Sequence, residues 1–124
     1  MTTSVTYNQE NNYILVVLEG TINNSVIESI RSDVIVLVKK HQCFKIIVDL
    51  KMANNELSIS DIFWQADATT KKLGAEGMKN PSLKRAIIVE KGNTKAEFFE
   101  MVANNRGQQV KLFESLEEAE LWID

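Results

Sequence analysis

A single cysteine, Cys43, a single histidine, His41, and a single proline are spread over 124 residues. One thiol cannot close an intrachain disulfide, so a cross-linked secreted scaffold is excluded and a reducing, cytoplasmic location is expected. One proline, five scattered glycines and no low-complexity tract leave no linker able to divide the chain, and residues 1–124 are read as one domain. No basic stretch followed by an apolar run opens the sequence. The longest apolar run, Val34 to Val38, falls far short of a membrane span, so no transmembrane segment is expected. Positive charge is also in deficit. A formal net charge of -3 provides no concentrated basic face for counterion release, and nucleic acid is not an expected partner.

The parts of enzyme chemistry are equally scarce. His41 and Cys43 are too few for the three or four ligands of a typical zinc site. Sequence neighbours rarely reach the base-to-nucleophile geometry that a Cys–His pair needs, so a structural role is expected for both. No acidic cluster has calcium-loop spacing, and no G-x-G-x-x-G or Walker loop follows a strand. The early strand lacks the acidic pair with which a receiver domain holds magnesium. No metal, cofactor or catalytic residue is expected, and the chain is read as a non-enzyme.

What is present is the material of a core. Hydrophobic residues make up 44% of the chain, enough at this length for folding to remove roughly two thirds of the unfolded surface from water. Four segments have the form of a capping box: Ser25-x-x-Glu28, Ser58-x-x-Asp61, Thr94-x-x-Glu97 and Ser115-x-x-Glu118. In that device a hydroxyl accepts from an orphaned backbone N–H and a carboxylate reaches back, so four helix starts are predicted. Each follows a β-rich run: Tyr13 to Leu18, Phe44 to Leu50, Arg85 to Val89 and Gln109 to Phe113. The middle two runs are nearly continuous in apolar residues, as in strands buried on both faces. A further run, Ser4 to Tyr7, joins Tyr13 through a turn-rich segment suited to an antiparallel hairpin.

Helical stripes support the alternation. They are Ile27, Ile30, Val34, Leu37 and Val38 in the first helix, and Ile62, Ala66, Thr69 and Leu73 in the second. Phe98, Phe99, Val102 and Ala103 mark the third, and Leu116, Ala119 and Ile123 the last. The β-branched run Val34 to Val38 is kept helical because its stripe begins upstream at Ile27. Gly107 is expected as a left-handed cap after the third helix. The fold class is α/β, in the order ββαβαβαβα, with a central mixed sheet flanked by helices.

The stretch Lys51 to Asp61 is read as a polar loop from a buried strand to a helix beginning at Ser58 or Ser60. Each serine is a candidate helix cap or phosphoacceptor. A phosphate there would add roughly -1.5 to -2 charge beside helix N–H groups that favour anions. The neighbouring aromatics Phe63-Trp64 and Phe98-Phe99 are about 100° apart on a helix, so one of each pair is expected to face the sheet and the other a groove or second subunit. Phe63, Trp64, Met78, Phe99, Met101 and Trp122 are the candidates for a partner or apolar-ligand surface. Self-association as a homodimer is expected, to cover the first hairpin edge or an aromatic helix face.

This order, with a switch-type loop between third strand and second helix, resembles the STAS superfamily of bacterial anti-sigma-factor antagonists over nearly the whole chain. Arg85-Ala-Ile-Ile-Val89, Phe98-Phe-Glu-Met-Val102 and Val110 to Trp122 are similar to its SpoIIAA-like branch. The resemblance implies a non-enzymatic regulatory or protein-binding module. Phosphorylated members carry an Asp-Ser-Ser-Gly type motif where this chain reads Leu57-Ser58-Ile59-Ser60-Asp61, so Ser58 matches the phosphoacceptor position without the preceding Asp or following Gly. The branch is also similar to lipid-binding domains of the Sec14 type, which implies the alternative of a small apolar ligand.

Overall fold

The structure, a computed structural model, describes residues 2–77 and 83–124. Along them run β1 (Thr2–Asn8), β2 (Tyr13–Ile22), α1 (Asn24–His41), β3 (Lys45–Asn55), α2 (Ile59–Ala75), β4 (Lys84–Ile88), α3 (Thr94–Asn105), β5 (Gln109–Phe113) and α4 (Leu116–Ile123). The expected ββαβαβαβα order is observed. The strands form one mixed sheet in the spatial order β1-β2-β3-β4-β5, with β1 antiparallel to β2 and each later pair parallel.

That order dictates where the helices go. Each parallel strand is added on the same side of the last, so right-handed crossovers carry α1, α2 and α3 to one face of the sheet. There Ile14, Val16 and Leu18 of β2 and Ile46 of β3 meet Val26 and Val38 of α1 and Ile62 and Leu73 of α2. Ile87 and Val110 meet Ala96 and Ala103 of α3. The fourth helix closes no crossover and covers the opposite face, where Ala119 and Ile123 pack on Tyr13, Ile47, Ala86 and Ile88. Successive strand residues point to opposite faces, so Ile46 and Ile47 are both buried, as are Ile87 and Ile88. Two covered faces are why these strands read as unbroken apolar runs.

One local irregularity shapes the helical face. Val17 pairs with Asp49 and Glu19 with Met52, so β3 carries one more residue than β2 across this step. The Asp49 carboxylate accepts from the Lys51 N–H at 3.1 Å and ties the irregularity down. The inward phase of β3 shifts with it. Val48 and Leu50 pack into the helical core before the slip, and Ala53 does so after it.

Several boundaries differ from expectation. The segment from Lys51 to Asn55 is strand, because Met52 to Asn55 pair with Glu19 to Ile22 of an extended β2. Capping at Ser58 is as expected, with Ser58 Oγ accepting from Asp61 N at 3.0 Å and Asp61 Oδ2 accepting from Ser58 N at 3.2 Å. Ser115 caps α4. The other two starts lie upstream, at Asn23 and Asn93, whose side chains accept from Val26 N and Ala96 N. Asparagine caps a helix at least as well as serine or threonine, so the nearby Ser25 and Thr94 lose the role. Leu116, expected on the inner stripe, is 38% exposed, because α4 begins at that residue and only its later turns reach the sheet. Val34 to Val38 is helical, and Gly107 follows α3 at φ 83° as expected.

Ile47 is wholly buried between sheet and α4. Ile47→Ala should lower the unfolding free energy by about 2–5 kcal/mol in urea titration. Leu121→Ala, on the 82% exposed outer side of α4, should change it by less than about 0.5 kcal/mol. Tyr13 donates to Glu120 Oε2 at 2.9 Å. Desolvation first, then this carboxylate, raises the phenol above its ordinary value of 10. The unfolded chain therefore releases this proton first, and the stabilisation, complete below pH about 10, is lost as pH rises through the folded value. Tyr13→Phe should flatten the alkaline fall in melting temperature relative to the unsubstituted protein above pH about 10.

Candidate functional site

Two features stand apart from ordinary packing, and α2 contributes to both. Its outer face begins the first. Ile59 and Phe63, one helical turn apart, are 53% and 51% exposed, and Trp64 is 68% exposed. Both members of the Phe63-Trp64 pair therefore point away from the sheet, whereas Ile62, Gln65 and Ala66 take the inward positions. The Phe63 ring lies 4.1 Å beneath the Arg106 guanidinium, whose Nε is 3.7 Å from Asp67 Oδ1, so α3 props up this face. The helix start is fixed as well. Asn24 donates to Asp61 Oδ1 at 3.2 Å and accepts from Gln65 Nε2 at 2.8 Å, joining the beginnings of α1 and α2. The Asn24 bond first, with the Ser58 bonds, lowers the Asp61 pKa.

Beneath α2 lies the second feature, a cavity of about 180 Å³ between the sheet and α1, α2 and α3. Its walls are largely aliphatic, with Phe99 at one side, yet Arg31, Arg85 and Lys95 also line it and, among the described residues, no aspartate or glutamate does. Arg31 donates from Nε to Thr69 Oγ1 at 3.0 Å, and from Nη2 to the Gln65 carbonyl at 3.2 Å and Gln65 Oε1 at 2.5 Å. Arg85 donates to Gln108 Oε1 and stands 5.4 Å from the centre of the Phe99 ring. Gln108, itself buried, donates to the Ala66 carbonyl at 3.1 Å and Thr70 Oγ1 at 2.8 Å, which links β4 to α2. Lys95 donates to the Asn55 carbonyl at 2.9 Å.

Among the described residues, no carboxylate lies within ion-pair distance of Arg31 or Arg85. Burial, and to a smaller degree the charge of Arg31, brings the Arg85 pKa down to about 10. Burial also lowers that of Arg31, against an opposing pull from Glu28. A guanidinium has five N–H donors, and Arg85 spends one on the bond to Gln108.

The candidate residues named from sequence do not share one surface. Ser58 and Ser60 are exposed at the start of α2, with Ser58 as its cap. Phe63 and Trp64 lie on the outer side of α2, and Met101 is exposed on the neighbouring α3. Phe99 turns inward to the cavity. Trp122 is on the opposite side of the sheet, 5.7 Å from Phe113 and under the Lys84 ammonium, because α4 covers that face. Met78 lies outside the described residues. His41 stacks on Tyr7 with ring centres 3.8 Å apart, and the buried Cys43 thiol contacts the carbonyls of Asn12 and Lys45. Arg31 and Arg85 went unnoticed as site residues, although phase marks both. Arg31 follows Ile27 by four in the inward stripe, and Arg85 precedes Ile87 by two on the helical face.

No protein-family model matches the sequence, and no curated protein matches it. Solved structures do. An uncharacterized protein of the DUF3478 family from Shewanella loihica, with a SpoIIAA-like fold, aligns over 99% of this chain and 93% of its own at 19% identity and a TM-score of 0.60. An anti-sigma factor antagonist from Mycobacterium paratuberculosis aligns over 98% and 92% at 14% identity and a TM-score of 0.62. The phosphorylated form of the Bacillus cell fate determinant SpoIIAA aligns over 99% and 100% at 15% identity and a TM-score of 0.57. At these identities the shared property is the architecture, and this chain has the SpoIIAA-like fold that its sequence resemblance implies.

Proposed function

We propose that this chain is a non-enzymatic regulatory module that binds a partner protein through the start and outer face of α2. The observation that carries this reading is the contiguous exposure of Ile59, Phe63 and Trp64 beside a rigidly capped helix start. Isolated exposed apolar residues are ordinary, but aromatic anchors clustered on one helix face are the usual centre of a protein interface. The similarity in fold to anti-sigma factor antagonists, which act opposite proteins, supports a protein as partner.

A constitutive surface fits the local chemistry better than a phosphate switch at Ser58. Its hydroxyl already accepts the Asp61 N–H, and the Asp61 carboxylate closes the other half of the box. A phosphate on Ser58 would face that carboxylate and displace the cap. A second reading, a small apolar-ligand domain, is favoured by the cavity beneath α2, which is similar in volume to apolar cavities of about 150 Å³ that admit benzene.

In pull-downs from the native cytoplasm, Trp64→Ala should weaken capture of a bound partner at least about ten-fold while leaving the melting temperature nearly unchanged. Capture that survives both Trp64→Ala and Ser58→Asp would remove α2 from the recognition surface. Among the described residues β1 is the uncharged edge strand of the sheet, and a homodimer would cover it. Light scattering at micromolar concentration should return twice the chain mass, and a monomeric mass would exclude self-association.

A further inference from the structure

We infer that the cavity between the sheet and α1, α2 and α3 binds a small apolar carboxylate, its hydrocarbon against the aliphatic walls and Phe99, and its head on Arg85 with Arg31 beside it. The inference rests on the apolar-ligand reading and adds the charge of the head group. Three observations support it independently. The cavity is walled mainly by aliphatic side chains, so its bulk takes hydrocarbon. Among the described residues, the cations lining it are three and the carboxylates none. Finally, among the described residues Arg85 has one bonded acceptor, the neutral Gln108 amide, with its guanidinium 5.4 Å from the centre of the Phe99 ring.

A guanidinium withdrawn from water without a counter-charge is unfavourable, and breaking a buried pair is destabilising because it leaves such a charge behind. A bound carboxylate supplies the missing partner. It accepts two parallel N–H bonds from a guanidinium, an arrangement for which Arg85 retains donors. Arg31 is held in place by Thr69 and Gln65, so it contributes a fixed positive field rather than a mobile clamp. Asn55 and Lys95 line the cavity near the carboxyl end of β3, the end of a parallel sheet where ligands ordinarily bind. The volume suits a chain of roughly six to ten carbons.

The deciding experiment is calorimetric titration of the full chain with sodium octanoate and, separately, with 1-octanol, which has the same hydrocarbon and no charge. Octanoate should bind saturably and at least about ten-fold tighter than octanol, and Arg85→Gln should bring the two affinities together. Equal affinities in the unsubstituted protein would overturn the charged-head inference while leaving the apolar-ligand reading in place. Absence of binding by acids and alcohols of roughly four to twelve carbons would overturn both. Should Arg85→Gln not fold by circular dichroism, the octanoate-to-octanol ratio in the unsubstituted protein decides the matter alone. Carboxyl-labelled octanoate supplies a second readout, because its carbon-13 shift should move on binding to the unsubstituted protein. An unmoved shift under saturating conditions would place the head group away from the guanidinium.

Discussion

The helical side of the sheet is crossed by two half-buried guanidiniums that have no carboxylate within ion-pair distance among the described residues. Arg31, on α1, reaches across to Gln65 and Thr69 of α2, and Arg85, on β4, reaches α2 through Gln108. Hydrogen bonds to amide, hydroxyl and carbonyl oxygens satisfy part of their donor capacity, and those bonds run between elements rather than within them. α2 sits on the apolar core through Ile62 and Leu73, and these polar struts tie it to its neighbours. The cavity exists because the struts are long and the small inward residues Ala53 and Ala96 line part of the space they leave. An aliphatic side chain at either arginine would remove the tether.

The same helix has two dissimilar sides. Its inner side, with Ile62, Gln65, Thr69 and Leu73, closes the cavity, and its outer side displays Ile59, Phe63 and Trp64. The junction with α1 is made by Asn24, which bonds both Asp61 at the cap and Gln65 one turn further on. The junction with α3 is made by Arg106, which spans Phe63 and Asp67. These contacts fall between Asp61 and Asp67, so the first half of α2 is held from both sides and its inward and outward faces there are mechanically one object.

Much of the fold was legible because its determinants are local or periodic. The alternation of β-rich runs with capped stripes gave the element order, and doubly buried strands were visible in the unbroken runs around Ile46 and Ile87. Ser25 and Thr94 misled because Asn23 and Asn93 cap a helix equally well, and a box pattern alone does not rank them. The strand character of Lys51 to Asn55 was hidden because it depends on β2, some thirty residues earlier, and on a one-residue slip in pairing. Exposure of both Phe63 and Trp64 follows from the inward positions being occupied by Ile62, Gln65 and Ala66, and a neutral amide is a poor sequence signal for an interior site. The cavity was illegible for a different reason. Empty volume is a property of how four elements meet, whereas the charges that mark it, Arg31 and Arg85, lie in phase with buried residues and were readable in principle.

The unidirectional order of the sheet bears on how the chain comes to be folded. Each strand from β2 onward lies beside the one that precedes it in sequence, so no later strand has to insert between two already paired. During synthesis a growing chain can therefore add β3 to β2, β4 to β3 and β5 to β4 as each emerges, with a single newly formed edge waiting at any moment. Every such addition closes a loop of modest length, in which the intervening helix takes up most of the chain. Since α4 follows β5 and packs on the second face, that face stays open to water, and to chaperones, until α4 has been made.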